Sequence, residues 1–489
     1  SLFISFISVI AIASFILWDA NLAKTIIDKI YSLVVSYFGS SYLILAIVSF
    51  LFLIILATSN YGKYILGGKD TSPEFSYFSW IGMLFCSGIG GGIIYWSGVE
   101  WAYYVGIPQF SIEAYSSEAY SLATAYGLFH WGLSAWSIYG IPAIALSIAF
   151  YKYNLNSLRL SSSLKGLGIP DIESSYFGRF IDLIFILATV GAAGGTIGSY
   201  IPMLSSGFTD LLNINNGLHI NIGVILLCVA LYGYSVYKGL ENGIKILSNF
   251  NLVLALIFLC LIIVSTDFKE LLKLSVSGIQ YSFSYFWSMS TLGISEPSDF
   301  AKEWTIFYWA WWVAFGPLVG LFIARISKGR SLRQVIIGML FFGTLGTWLF
   351  YLVLGGYSMN GELNNEINVL QNMKDIGHAE TAISVINSLP ASSIMLCIFC
   401  IITIVFITTS YDSMSYVISS HVLNIKGKIK EPHKNLRLAW AVVLGILPAV
   451  LVLYSDHSVA LDLILITSLP LLFIYPLMAV SIIRELLKK

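Results

Sequence analysis

Charged side chains are scarce in this sequence. Asp, Glu, Lys and Arg make up only 11% of the 489 residues, whereas hydrophobic residues make up 57%, and the mean hydropathy is +0.82. A soluble core does not need so apolar a composition. Apolar runs of at least 18 residues recur along the whole chain, which is about the length that a helix needs to cross a bilayer. The sequence therefore predicts one all-α polytopic membrane domain spanning residues 1–489.

The spacings that would indicate an enzyme or a metal centre are also missing. Cys397 and Cys400 have CxxC spacing, but they lie in an apolar run without a second pair, so we interpret them as small packing residues. No HExxH or GxSxG sequence is present. We therefore expect no enzyme, although an intramembrane enzyme would draw on the dispersed polar residues His130, Glu100, Ser410 and Asp412. A channel is disfavoured because no pore-lining ring repeats along the chain.

The apolar runs predict twelve membrane spans. Their approximate ranges are 2–18, 42–59, 77–99, 120–151, 179–206, 219–237, 247–266, 299–326, 334–355, 391–420, 437–454 and 459–483. With both termini placed in the cytoplasm, twenty of the 26 Lys and Arg residues fall in inside loops and six in outside loops. This asymmetry follows the positive-inside rule and favours an even number of spans.

Two spans carry residues that interrupt helices. Gly88, Gly90, Gly91 and Gly92 lie in the middle of the third span, and Gly316 and Pro317 lie in the middle of the eighth. Close helix packing through small residues is the alternative explanation for the third-span glycines. We predict that both helices are broken. Two broken helices five spans apart point to an inverted-repeat transporter, with repeats at 77–266 and 299–484 and peripheral spans within 1–60.

The eighth span begins with three tryptophans in four residues. An interfacial aromatic belt could explain Trp309, Trp311 and Trp312. However, the apolar run that follows covers only residues 313–326, about 21 Å of helix, which is shorter than a hydrocarbon core of about 30 Å. Some of these indoles must therefore lie inside the membrane, and we interpret at least Trp312 as facing a ligand.

The fourth span supplies a second aromatic group, in the sequence HWGLSAWSIYG. Trp131, Trp136 and Tyr139 would cover about 140° of a regular helix, which is wide for one ligand face but possible near a bend at Gly132 or Gly140. Together with Trp312 they could form a cage around a quaternary ammonium group, which has no hydrogen-bond donor and binds to ring faces. We interpret His130 as a packed or capped histidine rather than a proton carrier.

The tenth span ends in a dense polar cluster, ITTSYDSMS. Its hydroxyls could bond back to carbonyls of the preceding turn, or they could supply the oxygen ligands that a sodium ion accepts. Asp412 could act as a proton relay, because acids inside a membrane are functional candidates. It could equally lie in a polar, hydrated stretch facing a hydroxyl.

These segments together resemble the betaine/choline/carnitine transporter family. The matching stretches are SGVEWAYY, FHWGLSAWSIYG, FYWAWWVAFGPLVGLFIARISKGR and TTSYDS, and the resemblance runs from about Pro73 to the C-terminus. It implies the LeuT-like fold of inverted five-helix repeats, usually assembled as a trimer. It also implies a trimethylammonium box, with further contacts and a carboxylate subsite at an unwound stretch. The corresponding residues here are Trp131, Trp136, Tyr139 and Trp312 for the box, Tyr104 and Trp311 for the further contacts, and Gly88, Gly90 and Gly92 for the subsite.

The resemblance also implies a coupling ion. Sodium-coupled members use carbonyls of the third and tenth spans and hydroxyls of the tenth, which match Cys86, Ile89, Phe406, Thr409 and Ser410 here. Both hydroxyls are present, and Val319 stands where sodium-independent carnitine exchangers carry a methionine. In contrast, the third and fourth spans and Lys245 look more like those exchangers. A second sodium is in doubt, because only Thr196 remains of the fifth-span threonines and Leu318 replaces a phenylalanine.

We therefore expect a plasma-membrane importer of a glycine betaine-like compound, driven by sodium, with both termini cytoplasmic. A sodium-independent carnitine-type exchanger is the alternative. The expected partners are a small methylated ammonium substrate, membrane lipid and two further copies of the chain in a homotrimer. No nucleic acid and no cofactor other than Na⁺ are expected.

Overall fold

The structure is a computed structural model that describes residues 2–88, 90–155, 159–238, 245–422, 433–453 and 457–488. Most of these residues are helical. The first ten α-helices are α1 Leu2–Trp18, α2 Ala20–Thr58, α3 Tyr77–Gly88, α4 Gly91–Trp96, α5 Trp101–Tyr104, α6 Ser117–His130, α7 Leu133–Lys152, α8 Tyr176–Leu212, α9 Leu218–Lys238 and α10 Lys245–Val264. The others are α11 Phe268–Ser284, α12 Phe286–Thr291, α13 Ile306–Ile326, α14 Leu332–Gly338, α15 Thr344–Phe350, α16 Gly356–Leu363, α17 Val369–Asp375, α18 Gly377–Asn387, α19 Ser392–Val422, α20 Lys434–Leu453 and α21 His457–Leu487.

Ten segments in the described ranges are long and apolar enough to cross a membrane. They coincide with ten of the twelve predicted spans, which confirms the polytopic all-α class. The other two predicted spans correspond to α1, which has 17 residues, and to the interrupted α3 and α4. Twelve spans in total remain a prediction.

The predicted break in the third span is confirmed. Helix α3 ends at Gly88 and α4 begins at Gly91, with Gly90 extended between them (φ −134°, ψ 177°). The glycines also allow close packing, because a Cβ on Gly91 would lie 2.8 Å from the ring of Tyr200. The glycines of this turn therefore both interrupt the helix and allow close packing.

The predicted break in the eighth span is wrong, because α13 runs without interruption through Gly316 and Pro317. A proline inside a helix leaves the carbonyl four residues earlier without its usual N–H partner. That carbonyl belongs to Val313, and it accepts a hydrogen bond from the Tyr475 hydroxyl of α21 at 3.3 Å. Gly316 makes room for this contact, since a Cβ there would lie 1.9 Å from the same hydroxyl.

The second broken helix is the fourth span instead. Helix α6 ends at His130 and α7 begins at Leu133, so Trp131 and Gly132 form the connection, whereas α7 continues through Gly140. A Cβ on Gly132 would lie 2.3 Å from the Leu128 carbonyl oxygen, which only glycine avoids. The two breaks thus lie in neighbouring spans, and the sequence argument for an inverted repeat from breaks five spans apart no longer holds.

The ninth span contains two π-helical turns, at Met339–Gly343 and Tyr351–Gly355. Such turns are rare and occur often at functional sites. The first approaches Trp136 of α7, since a Cβ on Gly343 would lie 2.6 Å from that indole. The second carries Tyr351, whose hydroxyl reaches Glu100. The first turn therefore lies against a residue of the predicted cage, and the second contacts the carboxylate of Glu100.

Candidate functional site

The four predicted cage residues meet in the protein interior. Tyr139 and Trp312 have ring centroids 4.4 Å apart, and Trp136 lies 5.6 Å from Tyr139 and 6.1 Å from Trp312. Trp131 closes the group at 5.6 Å from Trp312, with the two rings at 77°. The break after His130 explains this convergence, because Trp131 no longer has the angular position that a continuous helix would give it.

The tryptophans of α13 are buried rather than placed in a belt. Trp309, Trp311 and Trp312 expose 1%, 7% and 5% of their surface. Trp311 lies 5.8 Å from Trp131 and stacks on Tyr308 at 15°, so it borders the cage. An interfacial belt of α13 indoles is thus inconsistent with their burial.

Tyr104 does not join the cage. Its ring contacts in the described part of the chain are with Tyr126, His130, Phe300 and Trp304. Its hydroxyl donates to Glu100 at 2.7 Å. The structure therefore connects Tyr104 to the cage through a carboxylate rather than through a direct contact.

The role of Glu100 is what sequence reasoning missed, since the residue was singled out there only as a possible enzyme residue, although it lies in the matching stretch SGVEWAYY. Glu100 immediately precedes α5, and its side chain is fully buried. One carboxylate oxygen accepts from Tyr104, and the other accepts from Tyr308 at 2.6 Å, from the Trp131 indole N–H at 3.3 Å and from Tyr351. An ionised carboxylate only accepts hydrogen bonds, so it satisfies all four donors. Glu100 thereby joins the third, fourth, eighth and ninth spans and fixes the edge of one cage indole.

His130 lies beside this carboxylate as a packed side chain. It is fully buried, its ring stacks on Tyr308 with centroids 4.7 Å apart, and Nδ1 lies 3.2 Å from the Tyr104 hydroxyl. Nε2 lies 3.1 Å from the hydroxyl of Thr305. Both ring nitrogens have partners, as expected for a capped histidine.

The broken turn of the third span borders the cage from another side. Among the described residues other than its chain neighbours, none has an atom within 4 Å of the place that a Cβ on Gly90 would take, whereas Gly92 is tightly enclosed. A Cβ on Gly92 would lie 2.9 Å from Trp131 and 3.0 Å from the Tyr200 hydroxyl. Gly88 ends α3, and only its backbone is described. The predicted carboxylate subsite is thus adjacent to the predicted cage.

The predicted sodium ligands are only partly described. Ile89 and the side chains of Cys86 and Lys245 lie outside the described residues. On α19, the Thr409 hydroxyl donates to the carbonyls of Val405 at 2.9 Å and Phe406 at 3.2 Å. The backbonding expected for this cluster is therefore present at Thr409. Helix α19, which also carries Ser410, packs against α4, so the tenth span does meet the broken third span.

Asp412 forms a buried ion pair. Its carboxylate accepts from Arg437 of α20 at 2.8 Å and from the Ser235 hydroxyl of α9 at 2.6 Å. Asp412 is fully buried and Arg437 is 1% exposed. A facing hydroxyl was one of the alternatives anticipated from the sequence, whereas the arginine was not foreseen.

Comparison with known proteins decides the family. The model of the betaine/carnitine/choline family transporters matches residues 2–489. The chain belongs to this family. Among its relatives, glycine betaine transporter 1 of Vibrio parahaemolyticus is 32% identical, over 98% of this chain and 91% of the relative. The ectoine/hydroxyectoine transporter of Virgibacillus pantothenticus is 30% identical, over 96% and 92%, and the carnitine transporter of Acinetobacter baumannii is 29% identical, over 100% and 88%.

Membership of the betaine/carnitine/choline transporter family makes the chain a multi-pass membrane transporter and not an enzyme. Glu100 and the rings around it are therefore parts of a transport protein. The sequence alone does not identify the Glu100 cluster, because two of its four donors, Tyr308 and Tyr351, lie 208 and 251 residues away.

Proposed function

We propose that this transporter imports a small quaternary ammonium compound or a related methylated zwitterion, such as glycine betaine, together with sodium. The observation that carries the proposal is the contact of the buried Trp131, Trp136 and Trp312 with the partly buried Tyr139. Ring faces bind a methylated cation that no hydrogen bond can hold, and each desolvated ring contributes about 2 kcal/mol. The names of the relatives, which include glycine betaine and carnitine transporters, support this substrate class.

Sodium coupling is the second part of the proposal. The Thr409 hydroxyl donates its hydrogen bond to backbone carbonyls, so its oxygen keeps lone pairs for a cation. With Ser410, the Phe406 carbonyl and the carbonyls of Cys86 and Ile89, it would form one ion site between the third and tenth spans. A monovalent ion gains about 2.3 kcal/mol per 100 mV of membrane potential, so coupling to one ion makes accumulation feasible.

The proposed architecture follows the family resemblance. It comprises twelve spans in the LeuT-like arrangement, with repeats at 77–266 and 299–484. Both termini would be cytoplasmic, and the protein would be a homotrimer in the plasma membrane. A continuous α13 is compatible with this arrangement. The two halves of an inverted repeat share the path of the chain, but they need not share every interruption of a helix.

Uptake of radiolabelled glycine betaine into proteoliposomes tests the function. We expect uptake to require an inward sodium gradient and to lose its sodium dependence in Thr409→Val. The matched control is Thr403→Val, which removes a hydroxyl on the same helix that bonds back to Phe399. Equal uptake with and without the gradient would reject coupling. Uptake that depends instead on substrate loaded inside the vesicles would establish an exchanger.

A further inference from the structure

Tyr200 carries a buried hydroxyl that has no hydrogen-bond partner in the described part of the chain. The residue lies in α8 and is 2% exposed. Its hydroxyl oxygen is buried and makes no hydrogen bond within the described ranges. A buried hydroxyl without a partner costs about 1–3 kcal/mol, so a partner supplied from outside the chain would recover that cost.

The position of this hydroxyl specifies what it can meet. A Cβ on Gly92 would lie 3.0 Å from the Tyr200 hydroxyl oxygen, 2.9 Å from Cη2 of Trp131 and 3.4 Å from Cη2 of Trp311. The Tyr200 ring lies against Gly91 of the same broken turn and packs on Tyr95 with centroids 5.3 Å apart. The hydroxyl thus points to the boundary between the broken third span and the aromatic cage.

Resting on the proposed function, we propose that the Tyr200 hydroxyl donates a hydrogen bond to the carboxylate of the substrate and so selects zwitterionic over purely cationic methylated ammonium compounds. A quaternary ammonium group has no acceptor for this proton, whereas a carboxylate at the other end of the same molecule does. A hydrogen bond from a phenol to a carboxylate is charge-assisted and about twice as strong as a neutral one. A ligand that lacks the carboxylate leaves the hydroxyl unpaired.

The chain supplies a matched comparison in Tyr126. Its hydroxyl is also buried and unpartnered in the described part of the chain, and the residue is 1% exposed. Its ring is surrounded by Tyr104, Phe129, His130 and Phe300 and does not border Gly92. Tyr126→Phe therefore removes the same chemical group from a comparable environment that is away from the cage.

The experiment measures the affinities of glycine betaine and choline for the purified full chain and its variants by calorimetry, with choline titrated in competition where direct heats are small. Tyr200→Phe should weaken glycine betaine binding about tenfold and change choline binding less than twofold. Tyr126→Phe should change both less than twofold. Melting temperatures of both variants report folding, and phenylalanine keeps the ring of each site.

Two results would overturn the proposal while leaving the transport function standing. One is unchanged glycine betaine affinity in Tyr200→Phe, and the other is an equal loss for both ligands, which would indicate a general disturbance of the cage. Binding of neither compound by the unaltered chain would instead overturn the proposed substrate class, and the role of Tyr200 with it.

Discussion

Glu100 illustrates how a single side chain organises an aromatic site. A buried carboxylate is costly unless hydrogen-bond donors replace its water, and here Tyr104, Tyr308, Tyr351 and the Trp131 indole replace it. The hydrogen bond from the Trp131 indole N–H fixes the orientation of that ring, which lies at 77° to the ring of Trp312. Glu100 thus acts on the cage by positioning a ring, not by touching the proposed substrate.

We predict that Glu100→Gln destabilises the protein by about 2 kcal/mol and weakens glycine betaine binding. The amide keeps one acceptor oxygen, replaces the other with a donor and loses the charge that strengthens all four bonds. Thermal unfolding in detergent and calorimetric titration measure the two effects. The control is Glu118→Gln in the exposed first turn of α6, which should stay within about 0.5 kcal/mol of the unaltered chain. An unchanged melting temperature in Glu100→Gln would contradict the role of this carboxylate.

At the scale of elements, α13 remains a continuous helix although it contains Gly316 and Pro317, two residue types that often interrupt helices. Pro317 frees the carbonyl of Val313, and Tyr475 of α21 donates to it from a neighbouring helix. Membrane helices tolerate proline where a neighbour satisfies the freed backbone group. Continuity of α13 matters for the site, since this one helix presents Tyr308 to Glu100 and Trp312 to the cage.

The Tyr475 contact can be tested with a double-mutant cycle. Tyr475→Phe should lower the free energy of unfolding by about 1–3 kcal/mol, because it leaves the Val313 carbonyl buried and unsatisfied. In a Pro317→Ala background the alanine N–H bonds to Val313, so the same Tyr475→Phe change should have little effect. Thermal unfolding of the four proteins gives the coupling. An equal loss in both backgrounds would show that the hydroxyl does not compensate for the proline.

The contrast between the third and eighth spans defines what sequence could predict. A run of four glycines within five residues removes side chains from a whole turn, so the break at Gly88–Gly92 was predictable from the span itself. The outcome at Pro317 depends on a tyrosine 162 residues from the carbonyl it binds, and no local pattern reports that. The cage residues were predicted from the clustering of aromatic side chains in two spans and from the family resemblance, whereas the roles of Glu100 and Tyr200 depend on neighbours that only the folded chain brings together.

At the scale of the whole molecule, the Asp412–Arg437 pair and Ser235 connect three helices, one of which is distant in sequence from the other two. Asp412 lies in α19, Arg437 in α20 and Ser235 in α9. The guanidinium also lies over Tyr416, 5.3 Å from the ring centroid. Both charges are excluded from solvent, so each depends on the other for compensation. The pair thus fixes the packing of the tenth span, which carries the proposed ion ligands.

We predict that Arg437→Met destabilises the protein by about 3–5 kcal/mol, because it leaves the Asp412 carboxylate buried without its counter-charge. The double variant Asp412→Asn with Arg437→Met should recover most of this loss, since neither charge remains. Thermal unfolding of the single and double variants measures the difference. A double variant as unstable as Arg437→Met alone would mean that packing of the arginine, and not its charge, holds the helices.

The central claim is that indole and phenol faces hold a methylated cation in the middle of this transporter. Its most direct test is the affinity of the purified chain for glycine betaine after Trp312→Leu, with Trp312→Phe as the control that keeps a ring face. Loss of a desolvated ring worth about 2 kcal/mol predicts about thirtyfold weaker binding in Trp312→Leu and a much smaller loss in Trp312→Phe. A Trp312→Leu protein that binds glycine betaine as tightly as the unaltered chain would contradict the account.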